Sequence, residues 1–326
     1  MGIAPTGRLG NCEQIEVLAS MEDAVRAGID AHLQRRNLWF PNDHLPADAD
    51  GAEEREATLR QLRTAARDLP DGVRVSLALN LLTEEGLPHF HRLIALYFGM
   101  ESPWSTWNNM WTAEEDRHGC ALRDYVRDAG VFNMRKLEEA QYRYIENGFD
   151  PAWDGDPYRL LAYTSLQERA TQMSHAATSR LAAEREPILQ RVLAHLASDE
   201  MRHFHFYRDM FAEILRRDPQ RALVSLQKVS FNFDMPGHLM PGFADMSEVV
   251  RRLDVFGPAQ YRRVLSELLE HWQIGRITGL SGEAARAQEK LMQAPQRLAR
   301  VADYVASKTQ PRIFRFDFIG EREIRL

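Results

Sequence analysis

Two short motifs in this chain pair a carboxylate with an imidazole three residues on: Glu115-Asp116-Arg117-His118 and Glu200-Met201-Arg202-His203. On a helix, residues i and i+3 share a face, so each pair can grip one metal ion. One such motif carries little weight, because about one is expected by chance in a chain with 11 histidines. The context carries more. Glu84 stands 31 residues before Glu115, and Glu168 stands 32 before Glu200. The pattern of a glutamate followed by a distant ExxH therefore occurs twice. Leu81, Leu82 and Leu87 surround Glu84, and Leu160, Leu161 and Leu166 precede Glu168. A carboxylate on such an apolar face is costly unless it is paired or bound to a metal.

Four carboxylates and two imidazoles are the donor set of a non-haem di-iron site inside a four-helix bundle. Carboxylates can bridge two ions, and imidazoles suit iron while leaving positions open for O₂. A structural zinc ion needs fewer ligands. The chemistry expected is oxidation of an unactivated C–H bond by O₂. The competing account is a set of solvated surface ion pairs, since Arg117 and Arg202 sit inside the motifs. Duplication of all six residues argues against it.

The site needs four helices, and the chain reads as helical for most of its length. A first helix is expected over 14–34, a loop over 40–52, and a second helix over 54–68 that stops at Pro70-Asp71-Gly72. A long helix over 73–98 follows, with a distortion near Glu84 because Pro88 clashes with the carbonyl four residues back. Ser102, Pro103 and Gly130 punctuate the next helix. Further helices are expected over 133–147, from Pro157 to about 185, from Pro187 to Asp218, and over 258–273 and 283–306. Arg312 to Leu326 alternate around Gly320 and suggest a terminal hairpin. Each of the four ligand groups falls on its own helix.

Composition narrows the setting. Among 326 residues, 44% are hydrophobic and 27% charged, as in ordinary soluble proteins. A net charge of -6 argues against a nucleic-acid binder. Cys12 and Cys120 form no CxxC pair and no disulfide framework, which fits a cytoplasmic location. Residues 1–14 lack the features of a signal peptide, and no apolar run is long enough to span a membrane.

The motifs also resemble a known family, the soluble acyl-ACP desaturases typified by the plastid stearoyl-ACP enzymes. The resemblance lies in Thr83-Glu84-Glu85-Gly86-Leu87-Pro88, Trp111-Thr112-Ala113-Glu114-Glu115-Asp116-Arg117-His118-Gly119, Thr164-Ser165-Leu166-Gln167-Glu168-Arg169-Ala170-Thr171 and Asp199-Glu200-Met201-Arg202-His203. It extends to Trp39-Phe40-Pro41-Asn42-Asp43-His44-Leu45-Pro46, Met235-Pro236-Gly237-His238-Leu239-Met240 and Thr278-Gly279-Leu280-Ser281, which spans nearly the whole chain.

It implies an all-α fold: one ferritin-like four-helix bundle with additional helices, as a single domain over 1–326, in a homodimer. It implies two iron ions, an acyl chain delivered on acyl carrier protein, and electrons from a ferredoxin. Glu84 and His118 would hold one iron, Glu168 and His203 the other, and Glu115 and Glu200 would bridge. Asp199 would orient an imidazole, and Trp39, Asp199 and Arg202 would form an electron route. Thr171 would relay protons, unless its hydroxyl bonds back to the helix. Trp111 would pack near the site. The chain departs from the plant enzymes in a shorter connection between the first two ligand helices. Tyr97 and Leu160 also look bulkier than their plant counterparts, which points to a shorter or differently shaped acyl channel.

Other outcomes fit the same ligands. An oxygenase would hydroxylate a carrier-bound substrate after the same hydrogen abstraction. Iron storage usually needs a shorter, cage-forming chain. A radical-generating subunit would carry a tyrosine after the first ExxH, where this chain has Leu122. An acidic carrier protein would need a basic surface, for which Arg216-Arg217, Arg251-Arg252 and Arg262-Arg263 are candidates.

Overall fold

The helix boundaries follow the punctuation of the sequence. In the computed structural model, which describes residues 12–46, 51–98, 101–149, 153, 155–320 and 322–326, the helices are α1 (Cys12–Ala19), α2 (Glu22–Arg35), α3 (Ala52–Arg67), α4 (Asp71–Glu84), α5 (Leu87–Phe98), α6 (Pro103–Ala129), α7 (Met134–Asn147), α8 (Pro157–Ala182), α9 (Pro187–Arg217), α10 (Pro219–Phe231), α11 (Phe243–Arg252), α12 (Pro258–His271) and α13 (Gly282–Lys308). Ser102 caps α6 by accepting from Ser105 N at 3.2 Å, and Gly130 ends it at φ 64°. Asp156 caps α8 and Glu186 caps α9, each followed by proline in the first turn. Proline there forfeits no helical hydrogen bond, so three long helices start at defined residues.

Three expectations need correction. The first helix is two, α1 and α2, with a break at Ser20-Met21. The expected helix over 73–98 is also two, α4 and α5, separated by Glu85-Gly86. Pro88 has no N–H to continue the ladder, so α4 ends where the α5 register begins. Pro70-Asp71-Gly72 does not merely end α3, because α4 starts at Asp71. Helices α10 and α11 are additional. The terminal hairpin is present as β1 (Ile313–Phe314) paired antiparallel with β2 (Ile324–Arg325). Residues 1–11 of the segment read for a signal peptide, and 47–50 of the expected loop, lie outside the described residues. Among the described residues no helix is long and apolar enough to cross a membrane.

Helices α4, α6, α8 and α9 form the central bundle, with α8 and α9 packed along most of their length. Two apolar clusters fill it. One holds Trp104, Trp107 and Trp111 of α6, Leu160 and Leu166 of α8, and Phe204 and Tyr207 of α9. The other holds Leu77, Leu81 and Leu82 of α4, Leu122 and Tyr125 of α6, and Leu189, Leu193 and Leu196 of α9. Along α6 and α9 the apolar face switches from one cluster to the other. At each switch stand the charged residues of an ExxH motif. Fully burying each leucine contributes about 1.5–3 kcal/mol, so the flanking clusters can hold a polar layer that alone would not be stable.

Candidate metal centre

The six residues singled out from spacing meet in that layer. Glu84 lies at the end of α4, Glu115 and His118 in mid-α6, Glu168 in α8, and Glu200 and His203 in α9. All are buried; His118, Glu168, Glu200 and His203 have no exposed surface. They form two overlapping groups: Glu84, Glu115, His118 and Glu200, and Glu115, Glu168, Glu200 and His203. In each, one candidate donor atom per residue lies within 4.8 Å of every other. Glu115 and Glu200 belong to both groups.

The imidazoles turn Nδ1 inward. His118 Nδ1 lies 3.2 Å from Glu200 Oε1 and 3.7 Å from both Glu84 Oε2 and Glu115 Oε2. His203 Nδ1 lies 2.9 Å from Glu115 Oε1 and 3.7 Å from Glu168 Oε2. None of these approaches has the alignment of a hydrogen bond. Glu84 Oε2, Glu115 Oε1, Glu168 Oε2, both Glu200 oxygens and both Nδ1 atoms are buried without a hydrogen-bond partner. Such atoms are rare in folded proteins, and here they converge. The donor set is hard carboxylate oxygen with imidazole nitrogen, which suits iron. The residues present fit a pair of metal ions.

Ionisation within the layer is uneven. Burial and the charge on Glu200 push Glu168 and Glu115 above the usual carboxylate range, Glu168 strongly. Burial also works on Glu200 and Glu84, but nearby imidazoles outweigh it. Those of His118 and His203 hold Glu200 well below that range, and those of His118 and His175 lower Glu84. Burial alone would lower both motif histidines. Carboxylates instead raise them well above an ordinary imidazole, led by Asp199 for His118 and Glu114 for His203.

Outside the layer, Asp199 Oδ2 accepts from His118 Nε2 at 3.1 Å, Trp39 Nε1 at 2.9 Å and Arg117 Nη2 at 2.6 Å, and Asp199 also pairs with Arg202. The Trp39 ring is stacked over His118 at 6.4 Å, with the Arg117 guanidinium 4.9 Å from its centre. Trp111 Nε1 donates to Glu168 Oε1 at 3.1 Å, so this tryptophan touches the site rather than only filling core. The Thr171 hydroxyl makes no hydrogen bond among the described residues, unlike Thr164, which bonds back to Leu160 O at 3.1 Å.

Sequence reasoning missed three residues that are linked to the candidate ligands. His175 Nε2 lies 2.8 Å from Glu84 Oε1. Glu114 Oε2 lies 2.8 Å from His203 Nε2, and Glu114 Oε1 lies 3.1 Å from His32 Nε2. Glu114 was detectable, since it precedes Glu115 as Asp199 precedes Glu200. His32 and His175 left no signal, because each reaches the site from a distant part of the chain.

Two cavities adjoin the centre. One of about 20 Å³ is lined by Glu84, Glu115, Trp111 and Thr171. One of about 480 Å³ is lined mainly by apolar residues of α4, α11, α12 and α13, with Phe233, Phe256 and Tyr261 prominent. Thr83, Thr171 and Met235 border both. Leu160 is fully buried in the core and Tyr97 is half-buried against it; neither lines these cavities.

Comparison with known proteins gives a consistent picture. Residues 13–320 match the fatty acid desaturase family. The chain is 35% identical to a seed-specific chloroplastic stearoyl-[acyl-carrier-protein] 9-desaturase of Brassica napus, over 96% of this chain and 82% of the relative. It is 34% identical to stearoyl-[acyl-carrier-protein] 9-desaturase 1 of Oryza sativa subsp. japonica, over 96% and 87%. It is 32% identical to an acyl-[acyl-carrier-protein] desaturase of Cucumis sativus, over 96% and 83%. The fold is shared with the X-ray structure of DesA2 from Mycobacterium tuberculosis H37Rv, which its description assigns provisionally to the acyl-ACP desaturases. The TM-score is 0.60 at 19% identity, covering 83% of this chain and 99% of that one.

Proposed function

The chain belongs to the fatty acid desaturase family and is an acyl-[acyl-carrier-protein] desaturase, an oxidoreductase, and we propose that two iron ions held by Glu84, Glu115, His118, Glu168, Glu200 and His203 carry its chemistry. One observation supports this above others: two four-residue groups share Glu115 and Glu200, with unpartnered donor atoms turned inward. In this reading Glu84 and His118 hold one ion, Glu168 and His203 the other, and Glu115 and Glu200 span both. The ions, when bound, supply the redox chemistry by which O₂ takes hydrogen from carbon.

The surrounding residues have separate tasks. Asp199 accepts a hydrogen bond from His118 Nε2 and so would leave Nδ1 to the ion. Trp111 holds one oxygen of Glu168. The Thr171 hydroxyl, without a hydrogen-bond partner among the described residues and bordering both cavities, is placed to pass a proton toward the centre. The apolar clusters on either side exclude water. The larger cavity is where the acyl chain would enter, and Arg251 lines it with its guanidinium held by Glu248, so the Arg251-Arg252 pair borders this entry already partnered.

Removing two hydrogens from adjacent methylenes yields two electrons, whereas reducing O₂ to two waters takes four. The remaining two come from outside, and we assign ferredoxin as the donor, with Trp39, Asp199 and Arg202 as the route inward. The reading further includes a homodimer and one ferritin-like domain, both carried by the family resemblance. A cytoplasmic setting is supported by two unpaired cysteines.

The test is mass spectrometry of acyl-ACPs from C12 to C18 after incubation with iron-loaded protein, ferredoxin, its reductase, NADPH and O₂. The expected result is loss of two hydrogens from one acyl chain, abolished in Glu115→Ala. Gain of one oxygen, or no change in protein carrying two irons, would overturn the desaturase reading.

A further inference from the structure

His203 is fixed from outside by a buried chain of three side chains on three helices. Its Nε2 lies 2.8 Å from Glu114 Oε2, and the other oxygen of Glu114 lies 3.1 Å from His32 Nε2. His203, Glu114 and His32 are 0%, 3% and 5% exposed. The rings of His32 and His203 stack at 5.8 Å, and Trp107 presents its edge to both, at 5.2 and 6.2 Å. All three side chains are enclosed and hydrogen-bonded to one another.

An ionised carboxylate only accepts hydrogen bonds. Each imidazole must therefore present an N–H to Glu114. With Nε2–H committed to Glu114, Nδ1 is the nitrogen that faces Glu115, Glu168 and Glu200, and a metal ion there would take its lone pair. His32 occupies the second oxygen and stops the carboxylate from rotating away. The three atoms sit close enough to count as a third candidate ligand group, but their spacings are those of hydrogen bonds.

This chain shares no residue with the support of His118. There, Asp199 is gripped by Trp39, Arg117 and Arg202. Glu114 has His32 and, at 3.6 Å, the half-exposed Arg36. We propose that His32 and Glu114 are positioning residues for His203 and that they support this half of the centre, while Asp199 supports the Glu84–His118 half. The inference rests on the metal reading above.

The test is anaerobic titration of the metal-free full-length protein with Co²⁺, counting bound ions and recording the visible spectrum. Wild type should take up two ions. Glu114→Gln should keep one at wild-type affinity and bind the other ~10–100-fold more weakly, the range for loss of such a partner. His32→Gln should weaken the same ion by less, and serves as the readout if Glu114→Gln fails to fold. The one-ion spectrum of Glu114→Gln should match that of His203→Ala and differ from that of His118→Ala. Two ions at wild-type affinity in both variants, or equal loss of both ions, would overturn the proposal. Fewer than two ions in the wild type would overturn the metal reading itself.

Discussion

Asp199 and His118 stand 81 residues apart in the chain, yet Asp199 Oδ2 lies 3.1 Å from His118 Nε2. The same carboxylate pairs with the buried Arg117 and with Arg202. Replacing it with asparagine removes the charge those groups answer. Asp199→Asn is expected to weaken metal binding ~10–100-fold. Leaving Arg117 without its partner should cost about 3–5 kcal/mol of stability. Metal titration and thermal denaturation check the two effects separately, and unchanged affinity would remove Asp199 from its assigned role.

Glu115 and Glu200 belong to both ligand groups, whereas Glu84 and Glu168 belong to one each. Glu115→Ala or Glu200→Ala should lower occupancy of both ions and abolish turnover. Glu84→Ala should deplete one ion preferentially. Metal analysis of the purified variants distinguishes these patterns, and equal depletion by all three alanine substitutions would contradict the bridging assignment.

The duplicated spacing made the six candidate ligands legible, because each had to recur on one face of a helix at a fixed distance from its neighbours. Caps at Ser102, Asp156 and Asp218, each followed by proline, made the long helices legible too. The break between α4 and α5 was only half visible: Pro88 announced a distortion, but the two-residue turn at Glu85-Gly86 that divides the helix leaves no mark in the periodicity. His32 and His175 were invisible for a different reason. Their partners, Glu114 and Glu84, lie 82 and 91 residues away, and tertiary packing alone brings them together.

Metal uptake should release protons. Burial disfavours charge on His118 and His203, but their carboxylate partners raise both well above an ordinary imidazole. In the metal-free protein both are therefore charged at neutral pH. That contribution to stability is full below about pH 6.5 and is lost as pH rises through the raised values. A metal ion needs the neutral ring, so its affinity should fall as pH falls. Proton release on adding metal in weak buffer is the measurement; none, with affinity independent of pH, would show that the histidines are not ligands.

Thr171→Val keeps the side-chain volume and removes a hydroxyl that has no hydrogen-bond partner among the described residues. Stability should change by less than about 0.5 kcal/mol, as for a group that holds nothing. Turnover should fall, and more O₂ should be consumed per double bond formed. An unchanged ratio of product to O₂ would mean that Thr171 moves no proton.

Gly86 separates α4 from α5, two residues beyond Glu84. A Cβ there would meet the Tyr144 hydroxyl at 2.5 Å and its ring at 2.9 and 3.0 Å. Tyr144 is fully buried and its hydroxyl donates to Pro236 O at 3.2 Å, so it cannot easily yield. Gly86→Ala should therefore cost about 1–3 kcal/mol through overpacking. The strain would fall on the turn that places Glu84, so the ion held by Glu84 and His118 should bind more weakly than the other. Adding Tyr144→Phe removes the closest atom while keeping the whole ring, and should restore part of both losses. A double variant as unstable and as metal-poor as Gly86→Ala would mean that the turn needs glycine for its backbone, not for the space beside Tyr144.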